Sequence, residues 1–345
     1  KLDPIAQKEY YELRSVFAGV KREERVVSEV ALKAYERDKN ALTEERNRID
    51  RAISRMEGKG IDLADIVGGG NGAGSGVVRQ GIDVRSGEAE TKELGFLDKV
   101  RVNQFVASKN AFIDGVFVPD GEAGKAVIPV SSTGLTVTGL AKTSGQAWDL
   151  IRNGPVASQH SPVAGGIDFT KDGHSMLGLH ANAGITFDLT AIRKVSGEKD
   201  MRFTSKLAYF GQEGSLNADV WVFLDGKKEL EFLKLARKDG LREIDLNLPE
   251  TVRFLTLISG DGGNGISHDQ VGFGDPHLQP SPPKAVSGDE LKELTKLKEA
   301  QKALAVKLGA LGAPPKVYGV VAEAEIPEVR ILRRGEPEAP VGDPL

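Results

Sequence analysis

The sequence predicts a mainly β protein, in which a jelly-roll β-sandwich is inserted between two long helices that form an antiparallel helical hairpin. Three observations predict this class. Short β-branched runs separated by Gly, Asn, Asp and Pro fill residues 77–280. The 345 residues include 41 Gly and only 6% aromatic residues, as is typical of a turn-rich β protein. Charged segments with narrow apolar stripes precede and follow this region.

The first predicted element is one long helix over residues 1–58. Asp3 is a candidate N-cap, and Pro4 takes the first helical position, where its missing N–H costs nothing. Gly19 allows a kink or break. An apolar stripe with a seven-residue period follows on a charged background, which suits one partner helix, as in a coiled coil. Its members are Tyr35, Leu42, Ile49 and Met56.

The next segment, residues 59–76, is rich in Gly and predicts a flexible linker. Within residues 77–280 the run Ala218–Leu224 is followed by Asp225-Gly226, the strongest short hairpin signal. No segment with helical periodicity interrupts the strand-like runs, which argues against a parallel α/β sheet. The other predicted strands are 112–118, 126–130, 135–137, 185–189, 202–210, 242–246 and 252–258.

A second helix is predicted over residues 284–312, and an extended, truncated tail over 313–345. Leu297, Leu304 and Leu311 repeat every seven residues and give this helix a stripe like that of the first. Two matching stripes around an inserted β region predict a hairpin whose tip carries the insertion, because insertion at an exposed tip costs little loop-closure entropy. The alternative is two unrelated helices that pack on neighbours outside this segment.

Composition excludes several classes of function. With 46 basic and 50 acidic residues the formal net charge is −4, so the basic excess of nucleic-acid-binding proteins is missing. The absence of Cys removes disulfides, thiolate metal sites and cysteine nucleophiles. No apolar run is long enough for a membrane span. The H-E-x-x-H, G-x-S-x-G and phosphate-loop signatures are missing, and Gly260–Gly265, which matches G-x-G-x-x-G, precedes no helix, so no enzyme is predicted here.

Three stretches resemble the NPCBM family, the novel putative carbohydrate-binding modules. Gly173–Leu189, which contains Gly-Leu-His-Ala-Asn, resembles the family's G-L-H-A-x-S-x-I-x-x-D-L signature, and residues 218–226 resemble its strand ending in D-G-K. Residues 255–276 resemble its closing segment, although Phe273 stands near the usual Trp. The resemblance covers residues 135–280 and implies a galactose-binding-like β-sandwich.

The flanks resemble a second family. Residues 314–323 and 329–337 are similar to the P-K-V-Y-A … H-V-L-x-R-G-D-P segment of planctomycete-type surface proteins that often carry a cytochrome-c-like haem domain. In that family the flanking helices commonly enclose an inserted module. The resemblance implies a larger, extracytoplasmic multidomain parent, with its other domains as partners.

Five residues are candidates for a sugar site, which usually combines an aromatic face with planar polar groups. His180 and Asn182 belong to the best-matching motif, and His180 either donates to a sugar hydroxyl or is a buried histidine bonded to the backbone. Trp148 lies in a polar stretch with Arg152, whereas Trp221 alternates with apolar residues and is predicted to be core. The full set is Trp148, Arg152, His180, Asn182 and His268.

The loop after residue 260 offers hard oxygen ligands, which suit a structural Ca²⁺ ion. The alternative is that these Asp and Asn side chains only stabilise tight turns. The candidate ligands are Asp261, Asn264, Asp269 and Asp275.

The function predicted from these observations is a non-catalytic carbohydrate-binding module that holds polysaccharide near other domains of its parent. The alternative is a structural or protein-interaction module without sugar binding. An enzyme within this segment is the weakest reading, because no nucleophile–base or acid pair can be named.

Overall fold

The computed structural model describes residues 6–58, 60–158, 160–214, 216–282, 288–323, 325, 328–333 and 336–341. The chain divides into two compact units, one formed by residues 1–43 and 305–345 and the other by residues 44–304. Among the described residues, none of the helices combines the length and the apolar character needed to cross a bilayer.

The described residues form five α-helices and 22 strands, most of them short. The helices are α1 (Gln7–Val16), α2 (Glu29–Met56), α3 (Leu63–Val67), α4 (Leu189–Ser196) and α5 (Gly288–Ala310). The strands are β1 (Val20–Val26), β2 (Ile61–Asp62), β3 (Gly81–Ile82), β4 (Ala89–Glu90), β5 (Val106–Ala107), β6 (Ile113–Phe117), β7 (Ile128–Pro129), β8 (Thr136–Val137), β9 (Ile151–Asn153), β10 (Val163–Ala164), β11 (Ile167–Asp168), β12 (Met176–His180), β13 (Ala183–Asp188), β14 (Met201–Tyr209), β15 (Ala218–Leu224), β16 (Lys227–Leu235), β17 (Arg242–Leu248), β18 (Phe254–Gly260), β19 (Gln270–Pro280), β20 (Lys316–Ala322), β21 (Ile331–Arg333) and β22 (Glu336–Val341).

Two antiparallel sheets build the larger unit. One has the strand order β17-β14-β19-β12-β9-β3-β4, with β2 paired to β19, and the other has the order β16-β15-β18-β13-β6-β5. Alternate residues of both sheets point into one buried core, to which Leu177 and Phe273 contribute from the first sheet and Ile185 and Leu257 from the second. The predicted mainly β, antiparallel architecture is confirmed.

The predicted hairpin at Asp225-Gly226 is confirmed in detail. Strand β15 has the predicted bounds, and Leu224 pairs with Lys227 across the turn. Both turn residues have positive φ, 47° for Asp225 and 79° for Gly226, as a two-residue turn of this kind requires. Trp221, predicted to be core, is 1% exposed, and its Nε1 donates to Glu231 Oε1 at 2.8 Å.

The prediction of one helix over residues 1–58 is wrong. Residues 1–5, which hold the predicted cap, lie outside the described residues. Helix α1 ends before Gly19, and the charged strand β1 separates it from α2. Strand β1 pairs with β20, which is far away in the sequence and lies in the same smaller unit. The hydrogen bonds of this pairing outweigh the helical preference of the Glu, Lys and Arg residues in β1.

The second predicted helix is observed as α5, while residues 284–287 lie outside the described residues. The predicted extended tail contains strand β20, which pairs with β1, and strands β21 and β22, which pair with each other.

The flexible linker predicted for residues 59–76 is also wrong, because residues 61–68 are mostly buried and contribute to the core of the larger unit. All five residues of α3 are buried. The following loop folds tightly around Asp65, whose carboxylate accepts the amides of Gly72 at 2.6 Å and Gly76 at 2.5 Å. A Cβ atom at Gly70 would lie 2.3 Å from Asp65 Oδ2, so only glycine allows the backbone to come this close to the carboxylate. The glycine serves close packing here and not flexibility.

Candidate functional site

A pocket of about 440 Å³ opens where several loops of the larger unit meet. It brings together three of the five predicted sugar-site residues, Trp148, His180 and His268, and one predicted calcium ligand, Asn264. No Asp, Glu, Lys or Arg is among the described residues that line it. The lining consists of Phe96, Gln146, Trp148, His160, His180, Asn264, Gly265, Ile266, Ser267 and His268.

The aromatic rings of the pocket lie side by side. The ring centroids of Trp148 and His180 are 6.0 Å apart, those of His160 and His180 are 5.8 Å apart, and those of His160 and His268 are 6.5 Å apart. Trp148 and His268 are half-buried, whereas His160 and His180 are buried. The indole of Trp148 is therefore partly accessible from the pocket and lies beside the buried imidazole of His180.

Two buried nitrogen atoms of this lining have no hydrogen-bond partner among the described residues, Trp148 Nε1 and His160 Nδ1. A buried N–H without an acceptor is unfavourable by roughly 1–3 kcal/mol, and native structures seldom leave such groups unpaired.

Both buried histidines are held neutral. Burial first, and then the neighbouring imidazole of His268, lowers the pKa of His160 to about 4. Burial likewise lowers the pKa of His180 to about 4, against the opposing effect of its bond to the backbone. The Nδ1 of His180 lies 2.9 Å from the carbonyl oxygen of Ala181, so the neutral ring donates from Nδ1 and keeps Nε2 as an acceptor. His180 thus combines the two predicted roles, since it is buried and bonded to the backbone yet lines the pocket. It is the last residue of β12.

Arg152 is not available to a ligand, which corrects its prediction as a sugar contact. Its side chain is fully buried and forms an ion pair with Asp149, in which Nη2 lies 2.7 Å from Oδ1. Its Nη1 and Nη2 also donate to the carbonyl oxygens of Arg79, Thr91 and Lys92. Because Asp149 directly follows Trp148 and also accepts the amide of Leu94 at 3.2 Å, this ion pair fixes the backbone beside the indole.

Asn182 and Asp261 connect loops and do not face the pocket, which corrects the predicted role of Asn182. Asn182 is fully buried, and its side chain accepts the amide of Asp261 at 2.9 Å and donates to the carbonyl of Gln146 at 2.8 Å. Asp261 in turn accepts the amides of Ser144 at 2.7 Å and Gly263 at 3.1 Å. These bonds tie the loop of Trp148 to the loop of His268.

The four predicted calcium ligands do not converge on one site. Asp261 accepts bonds from its own turn and from neighbouring loops, as the alternative proposed. Asp275 lies within β19, and its carboxylate contacts His174 Nδ1 at 3.0 Å and Lys206 Nζ at 3.2 Å. No group of three or more His, Asp or Glu side chains in the described part of the chain is arranged to hold a metal ion.

Asp269, the remaining predicted ligand, is a buried acid with few bonds. Its Oδ1 accepts the hydroxyl of Tyr209 at 3.4 Å, and its Oδ2 has no partner among the described residues. Burial first, and then the charges of Asp261 and Asp219, raises the pKa of Asp269 to about 8. The native protein therefore favours the protonated carboxyl group.

This burial predicts a pH dependence of stability. An unfolded Asp loses its proton near pH 4, whereas native Asp269 keeps it until about pH 8. Between pH 4 and pH 8 the native state therefore binds one proton more than the unfolded state. The stability that the protonated Asp269 contributes is fully present below pH 4 and is lost as the pH rises to about 8. We expect the free energy of unfolding of the wild type to fall relative to that of Asp269→Asn by roughly 1 kcal/mol per pH unit.

Urea unfolding of both proteins from pH 4 to pH 8 measures this difference. His160 and His180 titrate in the same range, but they are present in both proteins and cancel in the comparison. A difference that stays constant with pH would contradict the assignment.

Several lining residues were not predicted from the sequence. His160 carried no local signal, because it lies in a polar loop distant in the sequence from His180 and His268. Gln146 begins the polar stretch that singled out Trp148, so it could have been included. Phe96 reaches the pocket through an isolated β-bridge with Trp148, a pairing that no short-range pattern indicates.

No protein-family model matches the sequence, and no curated protein matches it. Solved structures are similar to part of the chain. One is CBM51 from Clostridium perfringens GH95 in complex with methyl-galactose, with 19% identity and a TM-score of 0.27 over 30% of this chain and 70% of that chain. Another is the tandem CBM51 modules of a family 98 glycoside hydrolase from Streptococcus pneumoniae, with 19% identity and a TM-score of 0.26 over 31% and 32% of the two chains.

A third is the lectin domain of lectinolysin complexed with Lewis B antigen, with 12% identity and a TM-score of 0.18 over 31% of this chain and 70% of that chain. With all of these TM-scores below 0.5, we assign the fold from the strand pairings of this chain and the candidate site from its own residues.

Proposed function

We propose that this chain is a non-catalytic glycan-binding module and that the pocket at Trp148 holds a neutral sugar. The observation that carries the proposal is the half-buried indole of Trp148, which lines the pocket beside the imidazole of His180. The indole ring packs against the C–H face of a pyranose, and exposed polar side chains of the lining, Gln146 and Ser267, bond to its hydroxyl groups. An apolar platform with a few fixed polar groups is the usual chemistry of a small-ligand pocket.

The charge of the pocket selects the class of sugar. Its lining carries no ionisable side chain other than histidine, and burial keeps His160 and His180 neutral at pH 7. A carboxylate or sulfate on the ligand would lose its hydration without meeting a lysine or arginine side chain among the described lining residues, which is unfavourable. Uncharged hexoses and N-acetylhexosamines are therefore the ligands that we propose.

Titration calorimetry at pH 7 tests this function. We expect methyl-galactose or N-acetylglucosamine, the sugars bound in two of the similar structures, to bind with millimolar or tighter affinity. Galacturonic acid is the charged comparison and should bind more weakly. If no neutral glycan binds at millimolar concentration, the proposal is wrong and the structural-module alternative is favoured.

We further propose that α2 and α5 form the predicted antiparallel arms. Two contacts within the larger unit support this arrangement. Gln301 Nε2 donates to Asp50 Oδ1 at 2.6 Å, and Lys298 Nζ lies 2.6 Å from Glu57 Oε1. Because Glu57, the later of the two residues in the first segment, contacts Lys298, the earlier of the two in the second, the two segments run in opposite directions. The extracytoplasmic parent with further domains, and both family resemblances, stay predictions from the sequence motifs.

The helical contact makes a direct prediction. Asp50 is 3% exposed and also pairs with Arg46, whose Nε lies 3.3 Å from Oδ2. Loss of the Gln301 donor to Oδ1 in Gln301→Ala is expected to lower the free energy of unfolding by about 1 kcal/mol. Lys302→Ala, at the next and exposed position, is the control and should change it little. Equal effects in urea unfolding would argue against paired arms.

A further inference from the structure

The smaller unit contains a two-stranded ribbon with exposed faces. Strands β1 and β20 are antiparallel, with Val20 opposite Ala322, and neither pairs with another strand among the described residues. Tyr318 and Val320 are 71% and 58% exposed. An isolated two-stranded ribbon is marginally stable in water, and its open edges present rows of unpaired backbone groups.

The hydrogen bonds show which residues face the open edge of β20. The amide of Glu323 donates to the carbonyl of Gly19 at 2.8 Å, and at the other end the amide of Val27 donates to the carbonyl of Pro315 at 3.0 Å. Residues of an antiparallel pair alternate between facing the partner strand and facing away from it. The odd-numbered residues of β20 therefore face β1, and the N–H and C=O groups of Tyr318 and Val320 face outward.

We propose that this edge binds a second copy of this chain. The β20 strands of two copies pair antiparallel around a two-fold axis at Gly319 and form a four-stranded sheet with β1 on each outer edge. In this register Gly319 faces its own copy in a close pair without hydrogen bonds, and Tyr318 faces Val320 of the second copy in a hydrogen-bonded pair. This alternation matches the outward direction of the backbone groups of Tyr318 and Val320.

Charge favours β20 over β1 as the interface. Around Gly319, Lys316 falls opposite Ala322, so no like charges meet. Self-pairing of β1 around Glu23 would place Glu23 against its own copy and Lys21 against Arg25, and like charges directly opposite are destabilising even though Arg22 would meet Glu24. Charged outer strands also limit further edge-to-edge association, and so the assembly closes at two copies.

Sedimentation velocity of the full chain tests the proposal. We expect a species of twice the 36.9 kDa mass of one chain. Val320→Pro removes an outward N–H while keeping the bonds to β1, and it should weaken dimerisation at least tenfold. Arg22→Pro is the matched control, because Arg22 is the register partner of Val320 and its N–H faces the opposite edge. This variant should dimerise like the wild type.

A second variant tests the interface without a proline, which could by itself unfold the ribbon. Among the described residues, a Cβ atom at Gly319 would meet only the flexible Arg25 side chain, with Cδ at an ordinary 3.6 Å and Cγ at 3.9 Å. Gly319→Lys is therefore accommodated within one chain and places two lysines together at the proposed axis. It should also yield monomers, with circular dichroism unchanged. A monomeric wild type, assemblies larger than a dimer, a Gly319→Lys variant that still dimerises, or equal weakening by the two prolines would overturn the proposal.

Discussion

Replacing Arg152 with alanine is expected to lower the free energy of unfolding by about 3–5 kcal/mol, the range observed when one partner of a buried ion pair is removed. The guanidinium and the Asp149 carboxylate are both fully buried, and the guanidinium also binds three backbone carbonyls. Alanine would leave the buried carboxylate without its cation, with only the backbone amides of Leu94 and Leu150 as donors among the described residues, and these carbonyls without the guanidinium. Because this group fixes the backbone beside Trp148, glycan binding should weaken as well.

Arg202→Ala is the matched control for this prediction. Arg202 also pairs with an aspartate, Asp245, but the two side chains are 36% and 49% exposed. Solvent screens such pairs, so the expected loss is below about 1 kcal/mol. Urea unfolding of both variants makes the comparison, and similar losses would contradict the structural role given to Arg152.

Replacing Trp148 with alanine is expected to weaken glycan binding by about 2 kcal/mol or more, which is roughly 30-fold, as is common for a tryptophan at the centre of a binding site. The substitution removes both the stacking face and the indole N–H. The protein should stay folded, because Trp148 is half-buried at the pocket and belongs to none of the buried hydrophobic clusters.

Two further variants resolve the contributions. Trp148→Phe keeps an aromatic ring of smaller area, so its affinity should fall between those of the wild type and Trp148→Ala. Tyr10→Ala removes an exposed aromatic residue of α1, in the smaller unit, and should leave calorimetric binding unchanged. Wild-type affinity in Trp148→Ala would exclude this pocket as the sugar site.

The sheets were predictable because their signals are local. Strand β15 and its Asp-Gly turn follow from β-branched residues and turn chemistry alone. Strand β19, in contrast, was not predicted as one continuous strand, because Gly272, Gly274 and Pro276 resemble turn residues. Cβ atoms at these two glycines would lie within 2.5 Å of Met176 or Phe169, so the glycines serve close packing on the sheet.

Contacts that composition does not reveal explain the larger errors. Residues 20–26 have a helical composition, and only the strand supplied by residues 316–322, far away in the sequence, makes them β. The glycines near Asp65 have the composition of a linker, and only the buried carboxylate that they surround shows why they are ordered. This second contact is local, but the burial of Asp65 is not visible in a glycine-rich composition.

The candidate site was predictable in part. An accessible tryptophan in a polar stretch and a histidine in a motif indicate a binding surface, and both line the pocket. Residue type could not show that Arg152 and Asn182 are buried, since the same polar atoms serve a ligand or hold a loop. His160 lies in the site only because the fold brings its loop next to His180 and His268, which are distant from it in the sequence.

The chain contains two tryptophans, which allows the most direct test. A ¹H–¹⁵N spectrum should show two indole N–H signals, assigned by Trp148→Phe, and titration with methyl-galactose or N-acetylglucosamine should move only that of Trp148. The indole of Trp221 is buried and bonded to Glu231, so its signal should stay in place. An unmoved Trp148 signal at sugar concentrations that saturate binding, or movement of the Trp221 signal alone, would contradict a glycan site at this pocket.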